Sequence, residues 1–583
     1  MSSEPAQLRI VVLGDLGGGP DVQGRRIPLD KQRFEEVFAR VAPRLAFSVP
    51  NRLGGAAPQL DVVLPLARWQ DLSPAGLVGV VPALARAREV RDLIDAVGKG
   101  ELATAAFRER AAALVPGPLA DALAQAFELA PAGAGPATLP GAAGAAPTAG
   151  TGVESILELV ETGSAPKAGA RETARKMLDA IAPRRSGAGG AGRDGAAAAG
   201  AALDAVLAAQ LDEIVRAPGF RALEAAWRGV KLLVDRTDFR KPIAVELVQA
   251  DRESAAAALD GLAEGEDVDL VLTAFELDAS TRDLELAQAL ADAGERAQTP
   301  VAVGLAPGFL GLPSWRGVAK ARLPQQTFDE AAYTGWRSLR GRDEARWLVL
   351  LANRVALRAP YGPDGEPARG VAYRESGDDS GLTGSAVFAL GSVVTRSFAR
   401  TGACLQISGS HHALVPDLPL LSPGPDGRPA PVEGVFGNER REDLERIGLA
   451  VLQVYQRDIA FLGSVRTFRK PEKYPDAEAT ADAAQQSTLA YQIFASRLVK
   501  FLGRAVGDLV GTTDTAAATH ALRGSIIQFL STTEAPLGPE RVGIALKPSP
   551  KDATITDVAL RVGPDLTIAG RPVNVLLNFS LRL

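Results

Sequence analysis

A single cysteine, Cys404, in 583 residues excludes an intramolecular disulfide framework and fits a reducing compartment. Only three histidines occur, His411, His412 and His520. With Cys404 they do not make the four-ligand spacing of a structural zinc site, so no metal is expected. Net charge is only −5 and the pI about 5.6, which leaves no basic footprint for nucleic acid. No apolar run reaches membrane-spanning length, and the first residues, MSSEPAQLRIVVLGDL, lack the basic start and cleavage site of a secretory leader. The expectation is a cytoplasmic protein without membrane insertion. Catalytic signatures are absent too. There is no G-x-x-x-x-G-K-[ST] loop and no G-x-S-x-G elbow. Gly14-Asp-Leu-Gly-Gly-Gly19 follows a strand, where a phosphate loop would sit, but Pro20 interrupts the helix that would bind the phosphate. No catalytic residue and no cofactor is assigned.

What the chain does have is 46% hydrophobic residues, enough for large cores, over a length that calls for several domains. Composition divides it. Residues 130–152 carry no charge and one large apolar side chain, Leu139, and read as a flexible linker. Residues 153–183 form a short island in which Val153, Ile156, Leu157 and Val160 make an amphipathic helical stripe. Residues 184–202 are low in complexity and read as a second linker. The flanking blocks, 1–129 and 203–583, are the folded parts.

The first block opens with strands, since Leu8, Ile10 and Val12 alternate, as do Leu45, Phe47, Val49 and then Leu60, Val62, Leu64. Ser73-Pro74 starts helix, and Gly98 stops it. The large block opens with helix, because Phe220, Leu223, Trp227, Val230 and Val234 fall on one stripe. Strand and helix then alternate, so the class is mixed α/β. The chain ends on a period-two run in which Val573, Val575, Leu577, Phe579 and Leu581 share one face. A terminal apolar strand needs a partner, in its own molecule or the next.

Several segments together carry a resemblance. Leu211-Asp-Glu-Ile214, Phe220-Arg-Ala-Leu223-Glu-Ala-Ala-Trp227-Arg-Gly229 and Leu233-Val-Asp-Arg-Thr237 resemble the large sheath subunit of type VI secretion systems. The likeness continues through Trp336-Arg-Ser-Leu-Arg340, Arg358-Ala-Pro-Tyr-Gly362, Thr395-Arg-Ser-Phe398 and Lys470-Pro-Glu-Lys473-Tyr474. Val12-Leu-Gly-Asp15, Lys31-Gln-Arg-Phe34-Glu-Glu-Val37 and Ser48-Val-Pro-Asn-Arg-Leu53 resemble the small subunit of the same system. The chain therefore looks like a natural fusion of both. The resemblance implies a phage-tail-sheath-like fold, a small α/β half and a larger one sharing interlaced sheets. It implies a non-enzymatic subunit of a helical contractile sheath, with copies of itself, an inner-tube protein and a baseplate as partners.

Strands shared between protomers are expected in that family. Leu8, Ile10 and Val12, and Val573, Val575, Leu577, Phe579 and Leu581, are the candidates. A Clp-type AAA+ unfoldase that recycles such sheaths would find its helix at Val153, Ile156, Leu157 and Val160, and the same stripe equally fits a small amphipathic helix packed on the protein's own body. Two other functions compete. One is a non-contractile tube or adaptor on the same fold. The other is an α/β enzyme taking a phosphorylated ligand at Gly14–Gly19.

Overall fold

The computed structural model describes residues 7–129 and 191–581, apart from 263, 266, 322–323, 378–379, 423–427, 508–514, 532–536, 549–555, 565 and 569. It divides into two compact units. One comprises Met1–Val37, Ala225–Ala359 and Asp378–Leu583, and the other Phe38–Glu224 and Pro360–Gly377. This partition departs from the expected blocks 1–129 and 203–583. Residues up to Val37 group with the large block because the first strand is built into its sheet, while residues up to Glu224 and Pro360–Gly377 of the large block group with the small one.

The larger unit is organised by a nine-stranded sheet of order β11-β13-β12-β8-β7-β6-β1-β5-β2. The strands are β1 (Leu8–Gly14), β2 (Arg26–Leu29), β5 (Ile243–Gln249), β6 (Leu270–Leu277), β7 (Val301–Leu305), β8 (Leu348–Ala352), β11 (Leu414–Val415), β12 (Leu449–Gln456) and β13 (Ile459–Leu462). From β12 to β5 all neighbours are parallel, and β2, β13 and β11 close the two sides antiparallel. Parallel strands need both faces covered, which is why β7 and β8 are buried throughout. On one face Val11, Leu13, Val271 and Leu350 join a core with Trp315, Trp336, Phe309 and Phe468. The helix Val387–Thr401 covers the other face. Its Gly391 lies against Leu272 of the sheet and Leu233 of the helix Pro218–Arg236.

Alternation in Leu8, Ile10 and Val12 implies one wet face. The structure buries Leu8, Ile10, Val11, Val12 and Leu13 alike. A central strand has no solvent face, so the periodicity of 8–12 understated its burial. A short antiparallel pair, β9 (Arg354–Arg358) with β10 (Leu382–Ser385), lies in the same unit. So does the C-terminal sheet β14-β15-β18, formed by Val542–Pro548, Thr556–Val562 and Val575–Leu581. Between its last two strands sits the small ladder of β16 (Thr567–Ile568) and β17 (Arg571–Pro572).

The smaller unit holds the hairpin of β3 (Arg44–Pro50) and β4 (Gln59–Pro65), where Phe47 faces Val62 across the ladder as the alternation requires. Its helices are Pro74–Val80, Pro82–Gly98, Thr104–Leu114, Gly117–Leu129 and Ala191–Arg216. Ser73 caps the first by accepting from the Gly76 amide at 3.1 Å, and the second ends at the expected Gly98.

The second linker expected at 184–202 is corrected from residue 191 onward. Ala191–Arg216 is one continuous helix, packed on Pro82–Gly98 and Gly117–Leu129. The low-complexity run is alanine-rich, and alanine is the strongest helix former. Glycine serves close approach there. A Cβ on Gly195 would stand 2.9 Å from the Phe127 Cα, so a larger residue would push the helices apart. The first linker and the 153–183 island lie outside the described residues.

Candidate assembly surface

The two strand candidates have different fates. In β1, Leu8–Gly14 pairs in parallel with Ile243–Gln249 of β5, and Ile10–Leu13 pairs with Leu270–Thr273 of β6. Both edges are used within the chain. Leu8, Ile10 and Val12 are therefore core residues rather than an exchange strand. Their backbone groups have no free side to offer a neighbour, and their side chains are buried.

The terminal strand β18 pairs antiparallel with β15, placing Val575 opposite Val562, Leu577 opposite Leu560 and Phe579 opposite Val558. Its partner is thus in its own molecule on one side. On the other side β18 has no strand partner among the described residues, nor has β14 on its own outer side. Val573 and Val575 are buried and Leu577 and Phe579 half-buried, as the period-two reading requires. Leu581 ends the strand. Leu576, on the opposite face, is 71% exposed. An antiparallel sheet with one apolar face and two open edges is a template for strand addition.

Charged contacts fix the C-terminal helices to the large sheet. On the helix Leu489–Gly507, Arg497 Nη1 donates to Asp269 Oδ2 at 2.6 Å and to the Gln7 carbonyl at 3.1 Å. One turn on, Lys500 Nζ donates to the Val268 carbonyl and Thr299 Oγ1, at 2.6 and 2.8 Å. The Arg9 amide also donates to Asp269 Oδ2. Burial pushes the Asp269 carboxyl up, with Arg497 and the Arg9 amide opposing. Burial likewise pushes the Lys500 ammonium down against the pull of Asp269. One buried carboxylate thus ties the first strand, the start of β6 and the C-terminal helix together. The sequence offered only a weak sign of this, two cations three residues apart on an apolar helix. At the far side of the sheet, Arg354 bridges Glu276 and Glu433. Burial alone would depress the Arg354 guanidinium, but the two carboxylates outweigh it and raise it.

The glycine-rich turn after β1 is closed on itself. Asp15 Oδ1 accepts from the Gly17 amide at 2.9 Å and from Gln249 Nε2 at 2.8 Å. The Leu16 amide donates to Gln249 Oε1, and the Leu16 carbonyl accepts from Trp227 Nε1 at 3.0 Å. The Leu16 and Gly17 amides, which a phosphate would need, are thus already paired with side chains of the chain itself. The following Pro20–Val22 is a single 3-10 turn, too short to direct a helix N-terminus at a ligand. Cys404 is buried, and burial pushes its thiol up to about 12, the behaviour of a packed hydrophobe. His411, His412 and His520 are exposed. Among the described residues no group of three or more His, Cys, Asp or Glu could hold a metal. The helix stripe of Val153, Ile156, Leu157 and Val160 lies outside the described residues.

Comparison with known proteins matches two family models in order along the chain. Residues 5–119 match "Type VI secretion system, VipA, VC_A0107 or Hcp2". Residues 198–264 and 259–469 match "EvpB/VC_A0108, tail sheath N-terminal domain". The type VI secretion system sheath protein TssC1 of Pseudomonas aeruginosa is 26% identical over 341 residues, 53% of this chain and 68% of that protein. Among solved structures, a sheath tail protein of Desulfitobacterium hafniense aligns with a TM-score of 0.31 at 10% identity. That alignment covers 57% of this chain and 61% of the other. The contracted helical sheath of the anti-feeding prophage aligns with a TM-score of 0.32 at 11% identity, over 61% and 78%.

Proposed function

The chain belongs to the sheath proteins of type VI secretion systems, with the small- and large-subunit domains on one polypeptide, and on that premise we propose that copies of it polymerise into a tube around an inner-tube protein. Contraction of that tube drives the inner one toward a target cell. The observation that carries this reading is the placement of β1. The first strand of the small-subunit domain lies between β5 and β6 of the large-subunit domain. A heterologous contact repeated from copy to copy does not close and generates a helix. The open edges of β14-β15-β18 supply such a contact by strand addition. The baseplate is the partner at one end of the tube. No helix among the described residues is long and apolar enough to cross a membrane, and assembly takes place in the cytoplasm. The island 153–183 is the segment that a Clp-type unfoldase would engage after contraction.

Negative-stain microscopy of the purified chain, over a range of concentration and ionic strength, tests the proposal. Helical tubes are expected. A stable monomer under all conditions, with or without an inner-tube protein, overturns it.

A further inference from the structure

The segment 466–473 is a strap pinned by its backbone at the N-terminal ends of β8 and β12. Four consecutive amides are held. Thr467 donates to the Ser487 carbonyl at 2.8 Å, Phe468 to Leu348 at 2.7 Å, Arg469 to Ala345 at 3.2 Å and Lys470 to Arg340 at 2.9 Å. Thr467 and Phe468 are buried, while Arg466, Lys470 and Lys473 are exposed. Arg469 is committed to Asp343 and Glu472. Among the described residues Arg340, Lys470 and Lys473 have no side-chain hydrogen bond or ion pair, while Arg466 acts on the Glu445 carboxylate, opposing the upward push of its burial, and leaves Arg340 without an acidic partner.

A solvated charge run would leave every charge in water. Arg340 departs from that. Its Nε is fully buried without a partner and stands 2.7 Å from where a Cβ on Gly448 would lie. Burial, with Arg466 beside it, pushes the Arg340 guanidinium down to about 10. A desolvated cation next to a second cation costs stability unless a carboxylate completes it. The strap is rigid, so the cost is not relieved by the side chains swinging apart with the backbone.

We infer that this strap is an interaction surface that docks a carboxylate-bearing face of a second copy of the chain. The choice of occupant rests on the sheath reading and on charge. The chain carries a net −5, so the surface remaining outside this cationic strap is more acidic still. Opposite fields of that kind fix register and speed encounter between copies.

The test is sedimentation of tubes against protein concentration, at several ionic strengths, for three chains. Wild type assembles above a threshold that rises with ionic strength. Arg466→Glu with Lys470→Glu raises the threshold at least about tenfold and removes that rise, with the melting temperature equal or higher, since the cation beside Arg340 is gone. Arg340→Met, which keeps the apolar stem and removes the charge, raises the threshold while leaving the melting temperature equal or higher. Variants that assemble at the wild-type threshold overturn the inference and leave the sheath reading intact. So does a threshold that rises only as the melting temperature falls. Variants that lose only binding to an inner-tube protein overturn the second-copy assignment and place the strap against the tube instead. A wild type that never assembles overturns the sheath reading, and this inference falls with it.

Discussion

Cutting the chain within 130–152 should leave the pieces joined. A protease site placed at Gly144 separates β1–β4 and the helices up to Leu129 from everything after it. Yet β1 is hydrogen-bonded on both sides by strands of the second piece. Leu8, Ile10, Val11, Val12 and Leu13 are each no more than 1% exposed. At about 1.5–3 kcal/mol per buried side chain, β1 alone contributes about 7–15 kcal/mol. In the smaller unit, Leu203, Val206, Leu207 and Leu211 of the Ala191–Arg216 helix are buried as well and add a comparable amount. Association costs about 4–15 kcal/mol, and a micromolar complex needs about 8 kcal/mol net. The balance therefore favours a complex that survives dilution. Size exclusion without denaturant should give one peak that a denaturing gel resolves into two fragments. Ile10→Asp buries a carboxylate in a central strand, at several kcal/mol, and should release the fragments once the chain is cut. Val63→Asp is the control, because Val63 is 60% exposed on β4. Fragments that separate in the wild type, or an Ile10→Asp complex that persists after cutting, would refute the reasoning.

The terminal strand should separate folding from assembly. Val575→Asp places a charge in the buried face and should lower the melting temperature, whereas Leu576→Asp, on the exposed face, should leave it unchanged, so loss of tubes in that variant reports assembly alone. Gly229→Ala would drive a methyl group into the Phe388 ring, and a urea titration should show about 1–3 kcal/mol of destabilisation. A midpoint equal to wild type would mean that this helix pair shifts freely. Cys404 should resist thiol reagents at pH 8 until the protein unfolds. Its folded value, about 12, lies above its unfolded value near 8.5. The thiol thus contributes stability that is complete below about pH 8.5 and is lost as the pH rises toward 12. Cys404→Ala should flatten that part of the stability profile, and an unchanged slope would contradict the assignment.

Sequence pattern was most legible where one face is wet. The β3–β4 hairpin, the capped helix after Ser73 and the apolar stripe of Val573, Val575, Leu577 and Phe579 could be read from spacing alone. It was least legible where pairing is non-local. Nothing in residues 8–12 says that β1 pairs with strands more than 220 residues away. A strand buried on both faces looks the same as one at an edge when only half its positions happen to alternate. That is why Leu8, Ile10 and Val12 read as exchange candidates and proved to be core. The run after residue 191 failed for another reason. Alanine and glycine read as linker because no large side chain repeats. In a helix packed against two others, small residues allow the close approach that Gly195 makes to Phe127. The Asp269, Arg497 and Lys500 contacts join residues from opposite ends of the chain, and no local signal marks them.

The central place of β1 also gives the fusion a physical sense. As separate chains, the two domains would have to find one another before the large sheet could close, because the gap between β5 and β6 would otherwise expose two unpaired strand edges. On one chain the same step is intramolecular. Covalent connection raises the effective concentration of β1 at its slot, to the order of millimolar for short flexible connections in general. The cost of closing a loop grows only slowly with its length, so a connection between two such domains is weakly constrained in length. The constraint falls on the strand instead. A linker can change without consequence for the sheet, but a single charge at Ile10 cannot. The fused chain thereby fixes a one-to-one ratio of the two domains on every polypeptide.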